Sequence, residues 1–258
     1  MGNCVVNCYV LHSYPWKESS LIVELISADD GRVSAVAKGA RRASSVYRGL
    51  LQPFNKLDVR YGKNGDLRSL LGAEWIGASN HRMLSGSSLF SGFYINELLL
   101  KLMQKHDPCP KLFSIYESSL KQLSSGIFPS DLILRRFEIS LLLEMGVFPD
   151  FEGILKNNFK KNYFISATEG IISEKEINLS DSSSCRVEKF LSREIIKIFS
   201  GNILDLNYLQ ESVSSKNLSM EIKGILRTLI DGQLSINKLS SRRIVLDLNE
   251  YTKLGRKN

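Results

Sequence analysis

Between Cys4 and Trp75 short apolar runs alternate with turn signals. The runs fall at Cys4 to Leu11, Leu21 to Ile26, Val33 to Ala37, Leu57 to Tyr61 and Leu67 to Trp75, separated in part by SYPWKESS, ADDGR and GKNGD. Alternation is cleanest in the fourth run: Leu57, Val59 and Tyr61 share one face while Lys56, Asp58 and Arg60 share the other, the two-residue period of a half-buried strand. Arg32, Ser34 and Lys38 likewise fall on one side of the third. Asp30-Gly31 and Asn64-Gly65 suit tight hairpins. The pattern predicts five short strands closing into a small Greek-key barrel.

From Gly86 the period becomes helical. SLFSGFYINELLLKLMQK carries Leu89, Phe93, Leu98, Leu99, Leu102 and Met103; KLFSIYESSLKQL stops before Gly126; SDLILRRFEISLLLEMG runs from an N-cap at Ser130 to Gly146. Asn96 and Glu97 read as a solvated face, with a buried polar pair as the alternative. Val147 to Ser184 loses periodicity, with short strands at NYFIS and GIIS; helices resume at CRVEKFLSREIIKIFSG and SMEIKGILRTLIDGQL, and KLSSRRIVLDL and the basic KLGRKN follow. The expected class is α+β, divided into a barrel (1–80), a first helical part (81–146), an irregular insertion (147–184), a second helical part (185–240) and a basic C-terminal segment (241–258). No internal repeat interrupts this order.

Charge sharpens the picture. The chain of 258 residues is 43% apolar and carries 34 cations against 27 anions, a formal charge of +7, which favours a polyanionic partner. The excess is local: Arg32, Lys38, Arg41, Arg42, Arg48, Lys56, Arg60, Lys63 and Arg68 face two acids, Asp58 and Asp66, in their window, whose net charge equals that of the whole chain. At AVAKGARRASS the third strand empties into Lys38, Arg41 and Arg42. A phosphate-cradling loop requires G-x-x-x-x-G-K-[ST], and here the lysine precedes a single glycine. RRAS fits a basic kinase site only as a short match. Cations scattered over a strand and loop suit a nucleic-acid backbone, where each meets a different phosphate. The five-stranded OB-fold is a small barrel that binds single strands in this way. Arg32, Lys38, Arg41, Arg42, Arg48, Arg60, Lys63 and Arg68 are therefore the expected nucleic-acid contacts; the bland alternative is a charged edge that discourages sheet-to-sheet pairing. Trp16, Phe54, Tyr61 and Trp75 are stacking or core residues, and strand position favours core, most plainly for Tyr61.

Other chemistry is missing from the pattern. No apolar run approaches the roughly 18 residues of a membrane span, and the start lacks a charged region followed by an apolar stretch, so a soluble cytoplasmic protein is expected. MGNC fails the myristoylation pattern at Val6. Cys4, Cys8, Cys109 and Cys185 lack C-x-x-C spacing. On a strand Cys4 and Cys8 stand about 13 Å apart, too far for one zinc, so core cysteines are expected rather than a site with His12. His12, His81 and His106 form no triad or metal spacing, and Asp29-Asp30 suits a turn. An enzyme is not expected, nor is a cofactor.

The ordered motifs VLHSYPWKESSLIVEL (Val10 to Leu25), GRVSAVAKGARR (Gly31 to Arg42), LLQPF (Leu50 to Phe54), LFSGFYINELL (Leu89 to Leu99), LRRFE (Leu134 to Glu138) and, more weakly, LSSR (Leu239 to Arg242) resemble the RecO family of bacterial recombination mediators. The resemblance implies an N-terminal OB-fold binding single- and double-stranded DNA, a helical domain, strand annealing without nucleotide hydrolysis, and joint action with RecR in loading RecA onto DNA coated by single-strand-binding protein. It matches Lys38, Arg41 and Arg42 to the family's basic stretch. It also implies docking of the acidic, Phe-ended tail of single-strand-binding protein on the helical part, with Leu112, Phe113 and Tyr116 as an apolar slot and Arg135 as the carboxylate clamp. Many relatives carry a four-cysteine zinc site after the third helix; from Val147 to Ser184 this chain has no cysteine, so no zinc is expected. The rival readings are an OB-fold RNA-binding protein and a protein adaptor with an incidental basic face.

Overall fold

The computed structural model describes residues 5–62, 65–76, 84–156, 163–166, 170–173, 189–234, 239–241 and 244. Five strands, β1 (Val6–Trp16), β2 (Ser20–Ser27), β3 (Gly31–Ala37), β4 (Lys56–Tyr61) and β5 (Leu67–Trp75), form a closed barrel in the order β1-β2-β3-β5-β4. All neighbours are antiparallel except β3 and β5, and β1 closes the ring on β4, the connectivity of an OB-fold. Cys8, Val10, Val23, Leu25, Val33, Ala35, Leu57, Val59 and Tyr61 fill its interior. Burial pushes the Cys8 thiol up to about 12, which makes it an inert core side chain. Cys4 lies outside the described residues.

The first strand is longer than its apolar run. SYPWKESS reads as a turn, yet pairing continues through Tyr14↔Ile22 to Trp16↔Ser20, leaving Lys17 to Ser19 for the turn. A bulge between Val10 and His12 absorbs Leu11. Pairing decides here, because Ile22 and Ser20 offer a complete ladder to residues whose own sequence is turn-like.

Two compact units emerge: Met1–Ser125 with Leu239–Asn258, and Gly126–Lys238. The expected division near residue 80 falls inside the first of these units. In the first unit α1 (Ser87–Leu102) and α2 (Pro110–Ser125) pack on β1 and β2. The outward Tyr9 makes this necessary, its ring meeting Phe113 at 5.7 Å and Tyr116 at 5.2 Å. Its hydroxyl donates to Glu117 Oε1 at 3.0 Å, which Lys56 Nζ also reaches at 2.6 Å. Asn96 is buried, correcting the solvated reading: its Nδ2 donates to the Leu11 carbonyl at the bulge and its Oδ1 accepts from Tyr116, both at 2.8 Å. A buried carbonyl displaced by the bulge needs such a donor. Glu97 accepts from the backbone N–H groups of Ser240 and Ser241 and from the Ser241 hydroxyl, fixing these two serines to α1.

The second unit contains α3 (Ser130–Glu144), α4 (Phe151–Lys156), β6 (Tyr163–Ser166), β7 (Gly170–Ser173), β8 (Lys189–Phe190), α5 (Arg193–Phe199), α6 (Leu206–Ser212) and α7 (Lys216–Gln233). The last three are N-capped by Ser192, Asp205 and Ser215, whose side chains accept backbone N–H bonds. Among the described residues of CRVEKFLSREIIKIFSG the helix begins at Arg193, and Lys189 is paired to Ile165 in the sheet β7-β6-β8. The insertion is anchored by apolar packing, with Phe148, Phe151 and Phe199 in ring contact at 4.7–5.7 Å.

Candidate nucleic-acid interface

The long connection from Lys38 to Asn55 is a built loop. Leu50 and Leu51 drop into the barrel core, Ser13 Oγ donates to the Leu51 carbonyl at 2.7 Å, and Asn55 Nδ2 donates to the carbonyls of Gly49 and Leu50 at 3.0 and 2.8 Å. Its end joins β1 through Phe54 N–H to the Val10 carbonyl, 2.8 Å, and Val10 N–H to the Asn55 carbonyl, 2.9 Å. Phe54 sits against Phe93 of α1, centroids 5.1 Å apart, so it is packing rather than stacking surface. LLQPF is therefore an anchor that holds a basic loop still.

The expected DNA contacts separate by surroundings. Lys38, Arg42 and Arg48 are exposed and form no ion pair among the described residues. Arg41 is exposed too, and its Nη1 donates to the carbonyls of Lys17 and Glu18 at 3.2 Å, tying the loop to the β1–β2 turn. Arg60 lies on the outer wall 3.4 Å from Glu74, over Gly72, where a Cβ would sit 2.9 Å from its Nη2. Arg32 and Arg68 are held by acids instead. Arg32 pairs with Glu24 at 3.1 Å and donates to the Met103 carbonyl, while Ser34 Oγ donates to the same carboxylate at 2.6 Å. Arg68 pairs with Asp30 at 2.9 Å, stacks 4.9 Å from the Tyr61 ring and meets His106 Nδ1 at 3.0 Å. Charge counting along a strand does not reveal that an acid on the neighbouring strand already holds the cation. Lys63 and His81 lie outside the described residues.

Tyr61 is core, as its alternation indicates, with its hydroxyl donating to Asp30 at 2.7 Å. Trp16 and Trp75 are not: they are 42% and 49% exposed, and so is Tyr14 at 42%, a residue the sequence does not single out. Trp75 ends β5, whereas Tyr14 and Trp16 occupy outward positions in the part of β1 nearest the turn, on the face opposite the core residues.

For the expected tail site, Leu112 and Tyr116 are 1% and 0% exposed, because positions four apart on α2 face the barrel and α1. Phe113 beside them is half-buried on Tyr9. Arg135, in the second unit, is buried and paired with Glu138 at 2.9 Å. The insertion does not fit a four-cysteine metal site, since the sequence from Val147 to Ser184 has no cysteine, and no group of three potential ligands occurs among the described residues. Among those residues no helix is long and apolar enough to cross a membrane.

A closed five-stranded barrel with a pinned basic loop, followed by a largely helical part, defines an OB-fold protein with a helical extension. Residues 1–79 match the family pattern described as "Recombination protein O N terminal" and residues 83–243 that described as "Recombination protein O C terminal"; the chain belongs to the RecO family. A protein named "DNA repair protein RecO" from Aromatoleum aromaticum is 36% identical over 245 residues, covering 94% of this chain and 95% of its own. A Polaromonas protein of the same name is 32% identical over 93% and 94% of the two chains. In Nitrosospira multiformis the identity is 48% over 140 residues, 54% of this chain and 56% of the relative.

Proposed function

We propose that this protein is a DNA-binding recombination mediator of DNA repair with no catalytic chemistry of its own. The observation that carries the reading is the pinned loop after β3, which presents Lys38, Arg41, Arg42 and Arg48 to solvent. Ordering such a loop in advance lowers the entropy cost of meeting several phosphates at once. Arg60 extends the path over the barrel, Lys63 is a further contact proposed from the sequence alone, and Arg32 and Arg68 act beneath the path by setting strand geometry. The protein holds single and double strands, anneals complementary strands, and works with RecR to load RecA onto DNA coated by single-strand-binding protein, in the cytoplasm at the nucleoid. Within the second unit, Arg135 takes a carboxylate of the coating protein's acidic tail once it exchanges Glu138 for it; within the first unit, Phe113 is the accessible part of the apolar candidate, with Leu112 and Tyr116 in the core beside it.

The test is salt dependence. Each phosphate contact on a single strand contributes about 0.7 to the log–log salt slope, so replacing Lys38, Arg41 and Arg42 together by alanine flattens it by about 2. An unchanged slope removes these residues from the interface, and equal preference for RNA favours the RNA-binding reading. Annealing of coated complementary strands is expected without ATP and in chelator, enhanced by RecR. Arg135→Ala is expected to abolish capture of a tail peptide while sparing naked DNA, with Arg135→Gln/Glu138→Gln separating that loss from a folding defect.

A further inference from the structure

The open half of the barrel's outer face carries a ladder of apolar side chains that the core does not use. Outward positions run Tyr14↔Ile22 from β1 to β2 and Ile22↔Val36 from β2 to β3, and Trp16↔Ser20 lies one step nearer the turn. The other half of the β1–β2 face is covered by α1 and α2, but here Tyr14 and Trp16 each keep 42% exposure. Tyr14 is braced by the His12 ring at 4.3 Å in an edge contact, so its orientation is set beforehand. Burial raises the Tyr14 hydroxyl above its ordinary value, which keeps the ring neutral. The rim is cationic: Lys17 follows Trp16, Arg41 grips the carbonyls of Lys17 and Glu18, and Lys38 continues β3 past Val36.

We infer that Tyr14 and Trp16 form a base-stacking platform for an unpaired DNA strand whose phosphates rest on Lys17, Lys38 and Arg41. Charge complementarity selects this occupant: exposed rings inside a basic rim fit a polymer with flat π-faces and a charged backbone. Alternate residues of a strand stand about 7 Å apart, roughly twice the 3.4 Å rise of stacked bases. The two rings therefore suit successive bases of an extended, unstacked strand and not the closed stack of a duplex. The inference rests on the DNA-binding reading and adds to it a preference for unpaired bases.

Trp16 and Trp75 are the two tryptophans of the chain, so in a Trp75→Phe background emission reports Trp16 alone. An oligo-dT strand is expected to quench it, whereas an abasic strand of equal length and a blunt duplex bind without doing so. Trp16→Leu is expected to weaken oligo-dT binding about tenfold with the salt slope unchanged, and Tyr14→Leu to act in the same direction. Bound oligo-dT with unchanged emission and unchanged Trp16→Leu affinity overturns the platform, as does equal quenching by the abasic strand or displacement of quenching by an acidic peptide alone. In those outcomes a slope reduced by the Lys38, Arg41 and Arg42 substitutions still upholds the phosphate reading; absence of DNA binding by the unaltered protein at low salt overturns the reading itself.

Discussion

Arginines of similar appearance in the sequence have opposite tasks. Arg32 sits against the buried Glu24 with Ser34 on the same carboxylate. Removing it leaves a buried charge unpaired, a loss of about 3 kcal/mol or more. Arg42 and Arg48 are exposed and unpaired among the described residues, so their removal changes stability by less than about 0.5 kcal/mol. Arg32→Ala is accordingly expected to lower the unfolding midpoint sharply, and Arg42→Ala/Arg48→Ala to leave it in place while weakening DNA affinity at low salt. Paired thermal melts and binding isotherms decide; a stable Arg32→Ala protein would contradict the assignment.

At the scale of elements, the Lys38–Asn55 loop depends on Leu50 and Leu51 in the barrel core. Leu51→Ala is expected to cost about 2–5 kcal/mol and to release the loop, speeding tryptic cleavage after Arg41, Arg42 or Arg48. An unaltered cleavage rate would mean that the polar bonds of Ser13 and Asn55 suffice. Gly31 opens β3 at φ 61, and a Cβ there would collide with the Asp107 backbone in the α1–α2 connection. Gly31→Ala combines a left-handed strain of about 1–3 kcal/mol with that collision, and calorimetry should show destabilisation of the unit that contains the barrel. The glycine heading GRVSAVAKGARR thus marks a close backbone approach as well as a hairpin.

For the molecule as a whole, two carboxylates tie distant segments of the first unit together. Burial works to raise Glu97, but bonds from Ser241, Ser240 and Lys101 outweigh it and hold the carboxyl below its ordinary value of 4.5. At Glu117 burial is likewise outweighed, by Lys56 and Tyr9. A depressed folded value contributes stability above the ordinary pKa that is lost as pH falls through the folded one. Stability is therefore expected to decline below about pH 4.5, and Glu97→Gln/Glu117→Gln should be less stable at neutral pH with a flatter acid limb; an unchanged acid limb would count against both ties. In the second unit Phe199→Ala is expected to cost about 3–5 kcal/mol, because its ring joins Phe148 and Phe151. Chelator should leave that unit's melting unchanged.

The alternation of Leu57, Val59 and Tyr61, the turn at Asp30-Gly31 and the helical spacing from Gly86 determined the barrel, its strand count and most helices, since periodicity is a local property that burial on one face imposes. Local pattern also placed Lys38, Arg41 and Arg42 beyond the end of a strand. Tertiary structure alone decided which cations remain available: Glu24 and Asp30 reach Arg32 and Arg68 from other strands or turns, and no spacing along the chain encodes that meeting. It turned Leu112 and Tyr116 inward, took Asn96 out of solvent to serve a bulge, and left Tyr14 and Trp16 uncovered. Each outcome depends on which face a second element happens to cover, and that is a property of packing between segments rather than of any one segment's sequence.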